Sequence, residues 1–509
     1  MYRNWLNHKG RQLKVSFLRK TGDFAKAEAL INDSLAMDKF NMGCRFESYL
    51  IHTLQGNTEA AAAAKAEMKA LMRGAVHSYL EYAIDYASAG MYEEAAQLLS
   101  FVTEENEATY PMVYYALGYF ASKMGKKDEA LNLYKKAETM CPDYCFPNKL
   151  EEVLMLNDAM SLNPEGAKAP YYLGNFHYAA RIYDEAIACW EKSASIDDTY
   201  PTVLRNLSLA YYNKQHNPQK ALATLEKAYN LDTTDARILM ELDQLYKKLR
   251  YPHRQRLDFL EAHADVVEQR DDLCIERITL YNQLGEYQKA YDLINSRKFH
   301  PWEGGEGKVT SQYLLCRVEL AKIAIREGRF ADAVRLLKET EKYPDNLGEG
   351  KLSMAEENDI HYWMGCAYEG LGEEALAKEY FTKATKGSAE PAIAFFYNDQ
   401  QPDKIFYQGL AWRKLGEEDK ARSRFNRLIK HGEKHLFDKV KIDYFAVSLP
   451  DLLIWDDDLN VRNQIHCNLV MGMGYLGLGD KEQARKFLSE VARLDINHQA
   501  GKQLLEMCD

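Results

Sequence analysis

Residues 171–197 read YYLGNFHYAARIYDEAIACWEKSASID, and this stretch decides the fold. It divides into two short amphipathic segments around a tight turn. Leu173, Gly174 and His177 fall on one face of the first segment, and Tyr183, Ala186, Trp190 and Ser193 on one face of the second. Recurrence every three or four residues is the spacing of a helix surface. Gly174 and Ala186 are small where two helix backbones approach, and larger side chains fill the space around that contact. The stretch predicts a helical hairpin.

The same hairpin recurs along the chain. The alanine of its second helix returns at Ala27, Ala61, Ala95, Ala130, Ala186, Ala221, Ala290, Ala333, Ala377, Ala421 and Ala484, with a degenerate copy near Arg256. The intervals are 34, 34, 35, 56, 35, 69, 43, 44, 44 and 63 residues. Turn signals keep the same register. Gly22-Asp23-Phe24, Gly285-Glu286-Tyr287, Gly328-Arg329-Phe330, Gly372-Glu373, Gly416-Glu417 and Gly479-Asp480 each stand just before a second helix. Glycine ends a helix by taking a left-handed conformation, and an acidic residue suits the positive end of the next helix. Four residues after the alanine comes a large side chain, such as Tyr134, Trp190, Leu225, Ile294, Leu337, Phe381, Phe425 or Leu488.

On these residues the chain resembles a tetratricopeptide-repeat (TPR) protein over nearly its whole length. The best matches to the family pattern are Leu117, Gly118, Ala130, Tyr134, Ala137 and Pro142; Leu173, Gly174, Ala186 and Trp190; and Gly365, Tyr368, Gly372, Ala377, Phe381 and Ala384. A 34-residue period belongs to that family. The resemblance implies an all-α fold, a right-handed α-solenoid of about twelve TPR-like helical hairpins with a few inserted helices and loops. Closing prolines are few, and the run Arg250-Tyr251-Pro252-His253-Arg254-Gln255 replaces the expected turn of the seventh copy.

Longer intervals mark interruptions. Residues 143–164 leave room for one extra helix; residues 299–308, FHPWEGGEGK, form a polar, Gly-rich connection; and residues 437–463 carry Pro450 and three successive aspartates. The expected organisation is a regular array over 1–299 and a lengthened array over 300–509. Two of these stretches carry a second resemblance, covering about residues 290–509. PWEGGEGK and KIDYFAVSLPDLLIWDDDLNVRNQIHC are similar to the helical-repeat tail of large bacterial proteins. In those proteins a β-sandwich domain of unknown function, mutarotase-like in fold, precedes the repeats. The resemblance implies a carbohydrate-related context. No run of alternating strands occurs here. The first turn, Thr21-Gly22-Asp23-Phe24, closes a hairpin with no capping segment before it, and the expectation is that these residues belong to a larger protein.

Composition bounds the function. Hydrophobic residues make up 46% and charged residues 28%, as in a globular chain. A net charge of −11 argues against a nucleic-acid partner, which requires a basic footprint. No stretch has the length and apolarity of a membrane span, and no signal peptide is visible, so the expected compartment is the cytoplasm if this is the full chain. The nine cysteines are scattered, and Cys141 and Cys145 form the one close pair; they read as packing residues.

Chemical motifs are sparse. The run Gly304-Gly305-Glu306-Gly307-Lys308 has Trp302 and Val309 where a phosphate loop needs glycine and a hydroxyl residue, so it reads as a connection. A further reading gives His300, Trp302 and Glu303 a contact with another domain. Asp456-Asp457-Asp458 lacks the spacing and glycine of a calcium loop and reads as a capped helix start. None of the 13 histidines forms a metal-binding pair, and no nucleophile motif is present. No metal, cofactor or catalytic residue is expected; the chain reads as non-enzymatic.

The candidate binding residues come from the TPR resemblance, which places the inner face of the first helices on a concave groove. They are Tyr115, Tyr119, Tyr171, Asn175, Tyr178, Arg205, Asn206, Tyr212 and Arg237, with Lys123 and Asn213 alongside. Tyrosine offers a rigid ring and a hydroxyl, which suits both peptide and sugar contacts, while an alternative reading has these rings simply bridging neighbouring helices. A chaperone-tail clamp is disfavoured, because Tyr171 and Glu241 stand where that clamp has cations. The expected function is a non-catalytic scaffold binding a protein, or an adjacent domain of its own polypeptide. The alternative is an accessory region completing the site of an adjacent carbohydrate-active domain.

Overall fold

A computed structural model describes residues 4, 6–103, 110–302, 304–353, 355–392, 401–441 and 454–508. Glu303 and residues 442–453 of the long insert lie outside the described residues. The chain is all-α, a solenoid of TPR-like hairpins, with twenty-seven α-helices and one short 3-10 turn among the described residues. Twenty-four of these helices pair into twelve consecutive hairpins, from His8–Lys20 with Phe24–Met37 to Leu459–Leu478 with Lys481–Leu494. The three others are the inserted helix Leu150–Leu162, the short Ala264–Val267 and the final Gln499–Glu506.

Packing explains the sequence period. All eleven register alanines are buried. A methyl group is the largest side chain that fits where the two helices of a hairpin touch. Opposite lies the first-helix glycine. A Cβ on Gly174 would stand 2.5 Å from the Trp190 ring, and Gly118 meets Tyr134, Gly365 meets Phe381 and Gly409 meets Phe425 in the same way. Each glycine gives up a side chain so that a large one sixteen residues later can enter. The turns follow the same economy: Asp23 and Asp480 cap their helices by accepting from the Lys26 and Gln483 amides.

Position 256 departs from the pattern. It falls 35 residues after Ala221 and 34 before Ala290, where alanine is expected, and the arginine there is only 1% exposed. Its guanidinium donates to both oxygens of Asp243, at 3.0 and 2.7 Å, and to Glu276 at 2.7 Å. Buried charge is tolerated because two carboxylates on neighbouring first helices surround it. The degenerate copy is a hairpin pinned by ions in place of a methyl contact.

The chain divides into two compact units, 1–207 and 208–509, with the division inside the helix Pro201–Asn213. In the first unit, the interval at 143–164 contains Leu150–Leu162, whose start is capped by Glu152 accepting from the Asn148 and Lys149 amides. In the second unit, three helices beyond residue 300 are long, Lys308–Arg326 with 19 residues, Glu418–His435 with 18 and Leu459–Leu478 with 20, while others there, such as Phe330–Lys338 with 9 and Glu374–Ala384 with 11, are not. None of the described helices is long and apolar enough to cross a membrane.

Candidate functional site

In the first unit, the groove candidates separate into interior and surface groups. Tyr115 is fully buried and its hydroxyl donates to Glu138 at 2.7 Å; burial, reinforced by that carboxylate, pushes its phenol well above the ordinary value. Tyr171 is also buried, edge-on to Tyr200. Both rings fill the space between neighbouring helices and are not displayed on a groove. Tyr119 is half-buried, with the Lys123 ammonium 4.9 Å from its ring centre. Asn175, Arg205 and Asn206 do come together. Asn175 Oδ1 accepts from Trp190 Nε1 at 3.1 Å and from Asn206 Nδ2 at 3.3 Å, and Arg205 donates to Asn206 at 3.2 Å. Tyr178 packs on the other face of that arrangement, 5.2 Å from Trp190. The first unit thus presents an amide-rich face rimmed by half-buried tyrosine.

In the second unit, the corresponding face holds part of its own chain. Residues 454–458, Ile-Trp-Asp-Asp-Asp, lie against Tyr212, Asn213 and the helix Ala236–Lys248. The Asn213 side chain clamps the main chain: its Nδ2 donates to the Ile454 carbonyl and its Oδ1 accepts from the Asp456 amide, both at 2.8 Å. A primary amide has one donor and one acceptor side by side, so it pairs with a peptide backbone irrespective of side chains. Between those contacts Trp455 enters the helix layer. It is 1% exposed, donates from Nε1 to the Glu241 carbonyl at 3.1 Å, and meets the Tyr212 ring edge-on at 5.2 Å.

The three aspartates have separate tasks. Asp456 faces Lys214 at 3.5 Å, Asp457 pairs with Lys248 at 3.0 Å, and Asp458 caps Leu459–Leu478 by accepting from Asn460 N. Arg237 remains exposed and pairs with Glu241 within its own helix.

Farther along the same face, the chain's last segment docks in a second place. Asn497 Oδ1 receives Arg256 at 3.2 Å, and its Nδ2 donates to the Lys247 carbonyl at 3.4 Å. Gln283 donates to the Asn497 carbonyl, Lys502 donates back to the Gln283 carbonyl, and Gln312 and Gln499 pair their amides at 2.9 and 3.0 Å. Asn213, Gln283 and Gln312 come from three different hairpins. Each takes hold of chain from beyond residue 450.

This docking leaves open hollows beside it. A cavity of about 680 Å³ lies between Lys247, Lys248, Trp455, Arg462 and His466. A second, of about 590 Å³, is lined by Leu314, Val318, Phe406, Leu504 and Met507. The two share Lys308, Asp403 and Met473, so they adjoin, and each mixes charged with apolar lining. Each has the size of a ligand cleft. At their junction Lys404 sits between Asp359 and Asp403, 3.2 Å from the latter. Burial opposes the Lys404 charge, but the two carboxylates outweigh it and hold the ammonium protonated; burial also raises Asp403. Burial, then neighbouring His431, pulls His466 down to about 4. Among the described residues no cluster of His, Cys, Asp or Glu is arranged to hold a metal ion.

At the 299–308 loop, His300 bonds Asp271 through both its amide and its ring. Trp302 lies over Gly305 of the same loop, so close that a Cβ there would meet the indole at 2.0 Å. The Gly307 amide donates to the Glu349 carboxylate at 3.0 Å. The Gly-rich run is a packed turn held by its own neighbours.

Two family profiles described as tetratricopeptide repeat match the chain, one at residues 113–144 and 359–386, the other at 405–431. These are the hairpins that begin at Met112, Asn358 and Pro402. Among solved structures, the chain is similar to pilF of Pseudomonas aeruginosa (19% identity, 44% of this chain and 90% of that one, TM-score 0.26). It is also similar to YrrB, described as a TPR protein with an unusual peptide-binding site (18%, 41% and 95%, 0.19). The TPR domain of P58(IPK) aligns over 99% of this chain and 97% of its own, at 12% identity and a TM-score of 0.25.

Proposed function

We propose that this chain is a non-catalytic scaffold whose concave faces hold extended segments of a protein partner, or of an adjacent domain of its own polypeptide. One observation carries the reading. Asn213 grips the backbone of residues 454–456 through donor and acceptor at once, while Trp455 fills a slot beside it. A surface that binds a main chain in this way is suited to polypeptide, and the side-chain slot supplies selectivity. The amides of Asn175 and Asn206 give the first unit the same kind of donor and acceptor pair. In the second unit, Lys322, Asp359 and Lys404 line the same hollow as Leu314, Val318 and Leu504, which suits an amphipathic segment. The carbohydrate-related setting is a proposal that rests on the motifs at 299–308 and 437–463 alone.

Photo-crosslinking in the full chain tests this. A photoreactive residue in place of Tyr119 or Arg462, irradiated in extracts of cells that express the chain, should form adducts with a discrete polypeptide. Lys308→Glu with Lys322→Glu should remove the adduct at 462. Adducts indifferent to those charge reversals, or absent from protein altogether, would sink the proposal.

A further inference from the structure

The docked segment also specifies what its groove recognises. We propose that the groove bounded by Tyr212, Asn213, Lys214 and the helix Ala236–Lys248 is a receptor for a partner's extended segment carrying tryptophan followed by acidic residues. In this structure the chain's own residues 454–458 occupy it as a stand-in. The inference rests on the scaffold reading above and narrows its partner.

Three features of the groove define that chemistry. The slot over the Glu241 carbonyl accepts an indole, because it offers an acceptor at 3.1 Å for an N–H and the Tyr212 ring beside it. A phenyl ring has no N–H to offer the second lone pair of that carbonyl, whose first is taken by the helix amide four residues on. The Asn213 amide fixes the backbone on either side of the indole, which sets the register. Lys214 and Lys248 stand where the next two side chains arrive, and both meet carboxylates there. Indole, then two negative charges, is therefore read in order.

Beyond the ring and the amide clamp, the stand-in is held by two ion pairs, one partly covered between Asp457 and Lys248 and one between Lys214 and Asp456, whose side chain is 59% exposed. An open hollow of about 650 Å³ is bordered by Asp456, Asp457 and Asp458, and the 680 Å³ cavity by Ile454, Trp455 and Asp457. Tyr212 and Asp457 line both. A tethered segment competes at an effective concentration on the order of millimolar, so an outside segment binds well only when the stand-in is loosened.

The test uses a fluorescein-labelled peptide of sequence Ile-Trp-Asp-Asp-Asp-Leu, titrated with the full chain and followed by anisotropy. Asp456→Lys with Asp457→Lys loosens the stand-in and should tighten peptide binding at least tenfold over the unaltered chain. Adding Asn213→Ala, or Lys214→Glu with Lys248→Glu, should reverse that gain, and a peptide with alanine for tryptophan should not compete. If the aspartate variant fails to fold, Trp455→Ala takes its place, with the same expectation. Equal binding by loosened and unaltered chains, no binding by either, or equal binding of the alanine peptide would each overturn the inference. A crosslinked partner that persists in Asn213→Ala would leave the scaffold reading standing while removing this site.

Discussion

The Asn213 clamp makes a prediction that can be worked through in energy. Asn213→Ala removes two hydrogen bonds of 2.8 Å, one to the Ile454 carbonyl and one from the Asp456 amide. A net hydrogen bond contributes about 0.5–1.5 kcal/mol, so the pair contributes about 1–3 kcal/mol to holding the segment in place. Local opening governs exchange of a protected amide, and every 1.4 kcal/mol is about tenfold in the opening equilibrium. The Asp456 amide should therefore exchange about five- to 150-fold faster in the variant. Hydrogen exchange read by mass spectrometry, with fragmentation resolving residues 454–458, measures this directly. The amides of Phe24–Met37, in the other unit, should be unchanged and serve as the control. Trp455→Ala should do more, because emptying a buried tryptophan site costs about 3–5 kcal/mol. An Asp456 amide that exchanges at the same rate, within a factor of two, would refute the assignment of Asn213 as the clamp.

Other positions give separate tests. Gly174→Ala sets about 1 kcal/mol of helix propensity against a Cβ pressed 2.5 Å from Trp190, and overpacking costs about 1–3 kcal/mol, so thermal unfolding should show a net loss; a rise in Tm would contradict the close-approach account. Arg256→Met strands the buried Asp243 carboxylate and should destabilise the second unit by about 3–5 kcal/mol in urea, with Asp243→Asn in the same chain restoring part of it; a neutral single variant would mean that the ion cluster does not hold this hairpin. His466 titrates near 4 when folded against an ordinary 6.5, so its neutral form favours the fold. That contribution is complete above pH 6.5 and is lost as pH falls toward 4, up to about 3 kcal/mol, and His466→Gln should flatten the acid limb of the stability curve. An unchanged limb would show that His466 is not the group responsible.

What could be read from the sequence was what neighbours in sequence decide. The alanine register and the glycine–aromatic pairs were legible because each is a contact inside one hairpin, as Gly174 with Trp190 shows. For Tyr115 and Tyr171 the sequence leaves a groove position and a bridge between helices both open, and their burial selects the bridge. The period identifies the first helix but not how deeply the next hairpin covers it, and Tyr115 lies wholly beneath that cover. Trp302 rests on Gly305, three residues along its own loop, a contact between near neighbours in sequence. Arg256 looked like a broken copy, since its justification lies in Asp243 and Glu276 on other helices. Asn213 was within reach as an inner-face residue. Its guest was not, because Trp455 is more than two hundred residues away and no local pattern marks that pairing.

The contacts of Asn497, Gln499 and Lys502 with the hairpins around Lys247 to Gln312 alter how the second unit must form and come apart. An open array of repeats behaves as a one-dimensional stack in which each unit feels only its neighbours, so it can unzip from either end. Joining late repeats to early ones removes that freedom at one end. Opening the last hairpin then requires breaking bonds to residues some two hundred positions earlier, which ties the stability of many repeats to a single event. The same joining carries a kinetic cost, since closing so long a loop is slow and waits on the most distant contacts. During synthesis, the early repeats of this unit stand with their amides unoccupied until residues 454–502 have been made. For that interval, the inner face is open to any other chain that fits it.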